Sequence, residues 1–413
     1  MKHVVVIGKY YPPEFGGVER YAYDVAHIAA KTHRVTVLVH NTGPKDWIEQ
    51  DDNITVIRCG TNKIIRAQPI SLSMYGHMRS LRPDLVHFNA PNFWAAAMLQ
   101  LTLYRGPIVV THHADVFGRP ILKRIVMPIY HRLLRRAACI VFNSLKTAFA
   151  SSDIPIGAGP LLAIPHGVDA SAYNVDSLDR KALTAERRRL CGDAPVVGFI
   201  GRFVRYKGLS VLIDALARLD GVHAIMIGDG PLRRQTEEQA QIAGIADRVH
   251  FFGTVDEATK IRSLAMMDML LLPSIETTEA FGVVQIEAQL MSVPVVASRL
   301  PTGVTDVTID GDTGLLVPPG DAEALARAIS QLIGDPDLAA RLGTAGRAHA
   351  LKLFTSEVFE QRIEELYEAV LSGCAIDGPK RSLRSAAIPE SRDNISACVR
   401  PLPDIQPSEL VDL

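Results

Sequence analysis

Short apolar runs rich in Val and Ile recur along the chain, and each is followed by a longer segment with helical periodicity. In the first half they are Val4–Gly8, Arg34–His40, Ile54–Cys59, Asp84–Phe88, Pro107–His112, Cys139–Asn143 and Leu161–Pro165. In the second half they are Val196–Gly201, Ala224–Gly228, Val249–Gly253, Met269–Pro273, Val293–Ala297 and Gly314–Val317. Continuous rather than alternating apolar runs belong to strands buried on both faces. Their alternation with amphipathic segments predicts parallel sheets covered by helices on either side. The pattern occurs twice, separated by a polar, charge-rich interval from Asp169 to Asp193 without strand character.

The expected architecture is α/β, with two facing Rossmann-like, doubly wound domains. A chain of 413 residues exceeds what one hydrophobic core usually serves. Residues 1–168 form the first domain, 169–194 the crossing with a short helix, and 195–353 the second domain. A terminal helix is expected over 354–372. Residues 373–413, rich in Pro, Ser, Arg and Asp without periodicity, are expected to be disordered. Ligands of open parallel sheets bind outside the carboxyl ends of strands. Two such domains would line one cleft with loops, so informative residues should follow strands.

Bulk composition narrows the function. With 47% hydrophobic and 22% charged residues, the chain reads as an ordinary soluble globular protein. A net charge of -1 excludes the global basic field of a nucleic-acid binder, so any basic surface must be local. The five cysteines (Cys59, Cys139, Cys191, Cys374, Cys398) are scattered, with no CxxC and no His at ligand spacing. They read as reduced thiols of a cytosolic protein. The N-terminal apolar run is too short for a signal peptide, and no stretch reaches the roughly 20 apolar residues of a membrane span. A cytoplasmic protein is expected, with contact at the inner membrane surface left open.

The second domain carries the sharpest signal. After Met269–Pro273 the chain reads SIETTEAFGVVQIEAQLMSVPVVAS. Phe281-Gly282 precede the helix that bears Glu287, where free backbone N–H groups suit a phosphate or a set of sugar hydroxyls. Glu279 can accept hydrogen bonds from sugar hydroxyls, and Glu287 can reach a ribose diol. The plainer alternative is two solvated helix carboxylates. In GFIGRFVRYKGLSVLIDAL, Arg202 and Lys207 sit in a loop after a strand. Two fixed cations there suit a diphosphate leaving group; the alternative is a pair of surface cations.

These segments resemble the donor site of retaining glycosyltransferases with the GT-B fold, the large glycosyltransferase family four. The resemblance implies that Glu279 binds the transferred sugar and Glu287 the ribose. It implies that Ala280, Phe281, Gly282 and Val283 line the sugar and phosphates, and that Arg202 and Lys207 hold the diphosphate. Gly228-Asp229-Gly230 and the Leu300–Gly303 loop complete the pattern, with amides of Gly303 and its neighbours near the phosphates. The stretch Gly253–Lys260 is similar to its counterpart in bacterial phosphatidylinositol mannosyltransferases, which use GDP-mannose. A carboxylate at Glu257, beside Val255, can accept from guanine N1–H and the N2 amino group, whereas uracil offers one N–H on that edge. The donor read here is therefore GDP-mannose; a solvated or capping Glu257 is the alternative.

The first domain supplies the acceptor side. Gly16-Gly17 follow the first strand and open a helix, and glycine lets a ligand approach the backbone closely. In THHADVFGRP the family places a histidine near the transferred sugar; His113 and Asp115 match best, and His112 competes for the assignment. Between Val116 and Ser152 there is no acid, while Arg119, Lys123, Arg124, Arg132, Arg135, Arg136 and Lys146 interleave with apolar residues. Residues 119–136 read either as a helix meeting an anionic membrane or as a core helix with a solvated basic face.

The resulting expectation is a retaining hexosyltransferase acting on a glycan or polyprenyl-diphosphate-linked acceptor in bacterial polysaccharide, lipopolysaccharide or glycolipid assembly. Arg202, Lys207, Glu279 and His113 would touch the reacting groups. No carboxylate nucleophile is evident, so front-face displacement is favoured. No metal or cofactor is expected, because fixed cations replace a metal; Asp310-Gly311-Asp312 reads as a turn before a strand rather than a metal site. Two rivals remain: a UDP-sugar epimerase of the same fold, and a non-catalytic nucleotide-sugar-binding partner of an assembly complex.

Overall fold

A computed structural model describes residues 1–14, 16–65, 68–115, 120–174 and 178–380. Arg119 and the tail beyond 380 lie outside the described residues. The chain forms two compact units. One comprises Met1–Phe142, Ser152–Ile164 and the chain from Glu360; the other comprises Asn143–Ser151 and Pro165–Phe359.

The strands of the first unit are β1 (His3–Ile7), β2 (Arg34–His40), β3 (Trp47–Asp51), β4 (Ile54–Cys59), β5 (Lys63–Ile65), β6 (Gln68–Ile70), β7 (Leu85–Ala90), β8 (Ile108–His112), β9 (Cys139–Phe142) and β10 (Leu161–Ala163). Eight of them form one sheet in the order β10-β9-β8-β7-β1-β2-β4-β3. All its neighbours run parallel except β3, which pairs antiparallel with β4. Helices α1 (Gly17–Ala30), α2 (Met74–Leu81), α3 (Phe93–Leu101) and α4 (Pro120–Arg136) are the crossovers. Every residue of β1, β7 and β8 is buried, as their unbroken apolar runs require.

Strand β3 and the β5–β6 ribbon were not expected from the sequence. The reason is physical: β3 reads WIEQD and is largely solvent-exposed, and β5 is fully exposed, so neither carries a buried apolar run.

Helix α5 (Leu145–Ala150) lies in the segment that clusters with the second unit. That unit continues with α6 (Arg180–Cys191), β11 (Val196–Ile200), α7 (Leu209–Leu216), β12 (His223–Ile227), α8 (Arg233–Ile242), β13 (Val249–Gly253), α9 (Glu257–Ala265), β14 (Met269–Leu272), α10 (Val284–Leu290), β15 (Val295–Ser298), α11 (Val304–Val307), β16 (Gly314–Val317), α12 (Ala322–Gly334) and α13 (Pro336–Leu353). Its six-stranded sheet has the order β13-β12-β11-β14-β15-β16, all parallel. The winding direction reverses between β11 and β14; in the first unit it reverses between β7 and β1. Such switch points leave a crevice at the strands' carboxyl ends.

The interval between the repeated patterns belongs structurally to the second unit. Asp179 caps α6, accepting from the amides of Lys181 and Ala182. Arg187 then grips Asp268 through two hydrogen bonds of 2.9 and 2.7 Å, and Asp268 accepts from the Val196 amide.

The terminal helix α14 (Ser356–Leu371) belongs to the first unit from Glu360 onward. Its Tyr367 hydroxyl lies 2.5 Å from His87 Nδ1, and His87 Nε2 lies 2.7 Å from Thr111 Oγ1, all fully buried. Beyond the helix, the Leu161 amide of edge strand β10 donates to the Pro379 carbonyl at 3.0 Å.

Burial pushes His87 down to about 3 and His40 to about 4, against an ordinary 6.5. The unfolded chain therefore takes up protons that the folded chain refuses. Stability falls as pH drops through 6.5 toward the folded values. Between pH 7 and pH 5 the first unit is expected to lose about 2 kcal/mol for each of these histidines. Guanidinium unfolding at the two pH values measures this loss, and His87→Gln should flatten the slope.

Candidate functional site

The second unit's site grows from the loops after its two central strands. After β11, a single 3-10 turn over Arg205–Lys207 ends at Gly208, whose φ is +69°. A Cβ there would lie 2.0 Å from the Pro273 carbonyl oxygen, so only glycine lets this loop touch the one after β14. The Ile275 amide donates to the Tyr206 carbonyl at 2.8 Å and fixes the approach. Lys207 Nζ consequently meets Glu279 Oε2 at 2.6 Å, with side chains only 10% and 7% exposed. Ser274 Oγ donates to the same carboxylate oxygen at 2.7 Å.

Next to this pair lies a run of unused donors. Among the described residues the amides of Ala280, Phe281, Gly282 and Val283 donate to no other group. Gly282 has φ +73°, and Phe281 is buried. Unpaired backbone N–H groups in a partly buried loop are costly unless something accepts from them. The run leads into α10, with Glu287 in its first turn.

Gly303 departs from expectation. Its amide does not face outward as a phosphate donor: it is committed to the Ala280 carbonyl at 2.9 Å and to Thr147 Oγ1 at 3.1 Å. A Cβ at Gly303 would sit 2.4 Å from the Phe281 ring. This glycine therefore permits close packing against the 280–283 loop. Thr147 also donates to the Ala280 carbonyl at 2.8 Å, and Lys146 pairs with Asp306 at 2.7 Å, so α5 braces that loop.

Glu287 Oε1 and Glu257 Oε1 each lie 2.9 Å from Lys260 Nζ, and Tyr173 donates to Glu257 at 2.7 Å. Burial depresses the Lys260 ammonium, but Glu287 and Glu257 outweigh it, leaving the group above its ordinary value. Burial, reinforced by Glu287 and Glu257, raises the Tyr173 phenol far above its ordinary value, so it stays a donor. Glu257 is 62% exposed and opens α9, which Asp256 caps through the Thr259 amide. Val255 packs half-buried under this corner. Arg202 is exposed on the loop after β11, with no acid in ion-pair range among the described residues. The Gly228–Gly230 turn receives the Phe203 amide on Asp229 O at 2.8 Å. Asp310 pairs with Arg299 and accepts from the Leu316 amide, and Gly311 has φ +72°, so the DGD sequence is a turn into β16.

In the first unit the two adjacent histidines separate. His112 is 4% exposed, and both its ring nitrogens are engaged, with Tyr130 at 2.6 Å and Asp115 at 3.0 Å. It is a packed strand-end residue. Asp115 lies against His112 and accepts from the Ser152 amide at 2.6 Å. His113 is half-buried, with Nε2 3.0 Å from Asn89 Oδ1 and its ring edge-on to Tyr21. Gly16 is extended and caps α1 without a side chain, and both Gly16 and Gly17 are exposed. On α4, Met127, Tyr130, Leu133 and Leu134 are core, while Arg124, Arg132, Arg135 and Ile125 are exposed. Among the described residues, then, the apolar stripe is core or half-buried, and the basic side chains with Ile125 meet solvent.

Sequence reasoning missed Ser274, Lys260, Tyr173 and Thr147. Tyr173 and Thr147 contribute through partners distant along the chain, whereas Ser274 and Lys260 have nearby partners but carry no pattern that singles them out.

A family model described as Glycosyltransferase Family 4 matches residues 15–172, and one described as Glycosyl transferases group 1 matches residues 184–349. The lipopolysaccharide core biosynthesis glycosyltransferase LpsE of Rhizobium meliloti is 39% identical over 344 residues, covering 83% of this chain and 93% of that protein. A GDP-mannose-dependent alpha-(1-6)-phosphatidylinositol monomannoside mannosyltransferase of Mycolicibacterium smegmatis is 28% identical, covering 86% and 96%. The solved sucrose-phosphate synthase of Thermosynechococcus elongatus superposes with a TM-score of 0.73 at 24% identity, covering 90% and 100%. Two Rossmann-like units of this kind define the GT-B fold. The chain belongs to the group 1 glycosyltransferases, glycosyltransferase family four.

Removing one partner of a buried ion pair leaves the other charge unpaired. Lys207→Ala is expected to destabilise the second unit by about 3–5 kcal/mol, and Lys207→Met with Glu279→Leu to recover most of it. Urea unfolding of the single and double variants tests this.

Proposed function

We propose that the chain is a retaining hexosyltransferase that moves mannose from GDP-mannose to a glycan or polyprenyl-diphosphate-linked acceptor in bacterial lipopolysaccharide or glycolipid assembly. The observation that carries the reading is the Lys207–Glu279 pair beside the unused amides of Ala280–Val283. Relatives named for lipopolysaccharide core synthesis and for GDP-mannose-dependent transfer support the assignment of pathway and donor.

In this scheme Arg202, Lys207 and the 280–283 amides stabilise the charge that grows on the departing diphosphate. Lys207 is shared between the phosphates and Glu279, which accepts from the sugar hydroxyls. Glu287 takes the ribose diol and Glu257 the guanine edge; one ammonium, Lys260, already sets these two carboxylates side by side. His113, held by Asn89, orients the sugar, and Gly16 and Gly17 admit the donor phosphates to the backbone. A leaving-group oxygen takes the acceptor proton as the new bond forms on the face the diphosphate leaves. Fixed cations do the work a metal would do, so no metal or cofactor enters the scheme.

A thermal-shift panel of GDP, UDP, ADP and their sugar conjugates without added metal tests the donor, because a ligand that binds only the folded state raises Tm. The expected outcome is a selective shift with GDP and GDP-mannose. A shift confined to UDP compounds overturns the guanine assignment. NMR of the product should show the donor's anomeric configuration; inversion overturns retention.

We place the enzyme peripherally at the inner membrane face through the exposed basic side of α4. Among the described residues no helix is long and apolar enough to cross a membrane. Cations on one helix face attract anionic headgroups with an energy that falls with salt. The protein should sediment with anionic vesicles at low salt, and Arg124→Glu with Arg132→Glu and Arg135→Glu should not.

A further inference from the structure

The carboxyl ends of the second unit's strands carry the donor groups, and the opposite ends carry a different chemistry. His223 opens β12, His250 lies near the start of β13, and Cys191 ends α6. In the parallel register Ile225 pairs with His250, so His223, two residues before Ile225, projects from the same sheet face as His250. The end of α6 packs on that face, where Cys191 joins a core containing Ile225 and Val196. The Cys191 sulfur and one nitrogen from each imidazole lie within 4.8 Å of one another. His223 Nδ1 and His250 Nε2 are 3.0 Å apart.

We propose that Cys191, His223 and His250 form a binding site for a divalent transition metal of the zinc class, built at the amino ends of β12 and β13. The proposal is independent of the transfer reaction. A thiolate with two imidazoles is the donor set of zinc and its neighbours, and it does not suit magnesium or calcium. The three ligand atoms are already neighbours, although the two rings lie nearly parallel with centroids 5.3 Å apart and their facing nitrogens share one proton. Two nitrogens on a tetrahedral ion lie roughly 3.3 Å apart, so binding replaces this hydrogen bond and turns both half-exposed rings until their lone pairs meet at the ion.

Three protein ligands leave the fourth position to water. Cys191 is buried, while both histidines are half-exposed, which leaves an entry path.

The surrounding charges permit a cation. Arg187 is neutralised by its twin bonds to Asp268. Arg248 turns its guanidinium to the carbonyls of Leu219 and Val222, each at 2.9 Å. Asp247 adds a favourable charge near both imidazoles. Binding releases the Cys191 proton to solvent. Both imidazoles stay neutral, with their protons on His223 Nε2 and His250 Nδ1. The bound ion would clamp α6 to two strands of the sheet.

Titrating the chelator-treated full-length protein with Co(II) tests the site. The expected result is one equivalent bound, with a thiolate-to-cobalt charge-transfer band and intense tetrahedral d–d bands that Zn(II) abolishes and Mg(II) does not. Cys191→Ser should lose the charge-transfer band, and His250→Gln should weaken binding while keeping the wild-type circular dichroism spectrum. Zn(II) should raise the Tm of the wild type and leave that of Cys191→Ser unmoved. No cobalt band in the wild type would show a hydrogen-bonded histidine pair only, and a band that survives Cys191→Ser would place the metal elsewhere. Either result overturns the proposal, whatever the nucleotide panel shows.

Discussion

The buried contact between Lys207 and Glu279 joins the loops that leave β11 and β14, the two strands between which the sheet's winding reverses. At that reversal neither crossover helix covers the crevice, so both loops are free to project functional groups into it. The pair ties the two loops together, and Gly208 makes their approach possible by removing the Cβ that would strike Pro273. Ser274, the 280–283 amides and the Gly303 brace are all arranged around this join. An ion pair with so little exposure contributes less net stability than its Coulomb energy implies, because desolvation offsets the attraction.

The same economy of charge recurs along the site. Lys260 stands between Glu287 and Glu257, so neither carboxylate faces the other without a cation between them. Tyr173 completes the corner as a donor that burial keeps protonated. In the first unit the two histidines have divided their tasks by environment. His112 has both nitrogens engaged with protein groups, and His113 stands half-buried at the strand end beside Asn89.

The parallel strands were legible because they read as largely apolar runs, buried throughout in β1, β7, β8, β9, β14 and β15 and partly buried in β10, β13 and β16. Residues Arg34–His40, Ile54–Cys59 and Val249–Gly253 match to the residue. β3 and β5 escaped because solvent-exposed edge strands need no such run. The assignment of α5 to the second unit was invisible, since it rests on Thr147 and Lys146 meeting Ala280 and Asp306 far along the chain. Around the site, the acids and cations of the donor loops stood out because they cluster in short motifs after strands. Ser274 and Lys260 lie inside those motifs but share no spacing that names the carboxylates they meet, Tyr173 lies far from Glu257 along the chain, and the commitment of the Gly303 amide is a packing fact that a glycine in a sequence cannot disclose. Cys191, His223 and His250 are far apart in sequence; the parallel register unites the two histidines, and the packing of α6 brings Cys191 to them.

The contact between Leu161 and Pro379 has a meaning beyond its single hydrogen bond. β10 is the outermost strand of an eight-stranded sheet, and its free side would otherwise offer backbone groups to any passing chain. The short stretch after α14 shields that margin, with Gly378 lying close enough that a side chain would collide with the Leu161 carbonyl. Residues 374–380 thus cover part of an edge that bare backbone would leave open to another strand. A protein cut back to the end of its last helix would keep the Lys207–Glu279 join and the 280–283 amides and yet expose that edge.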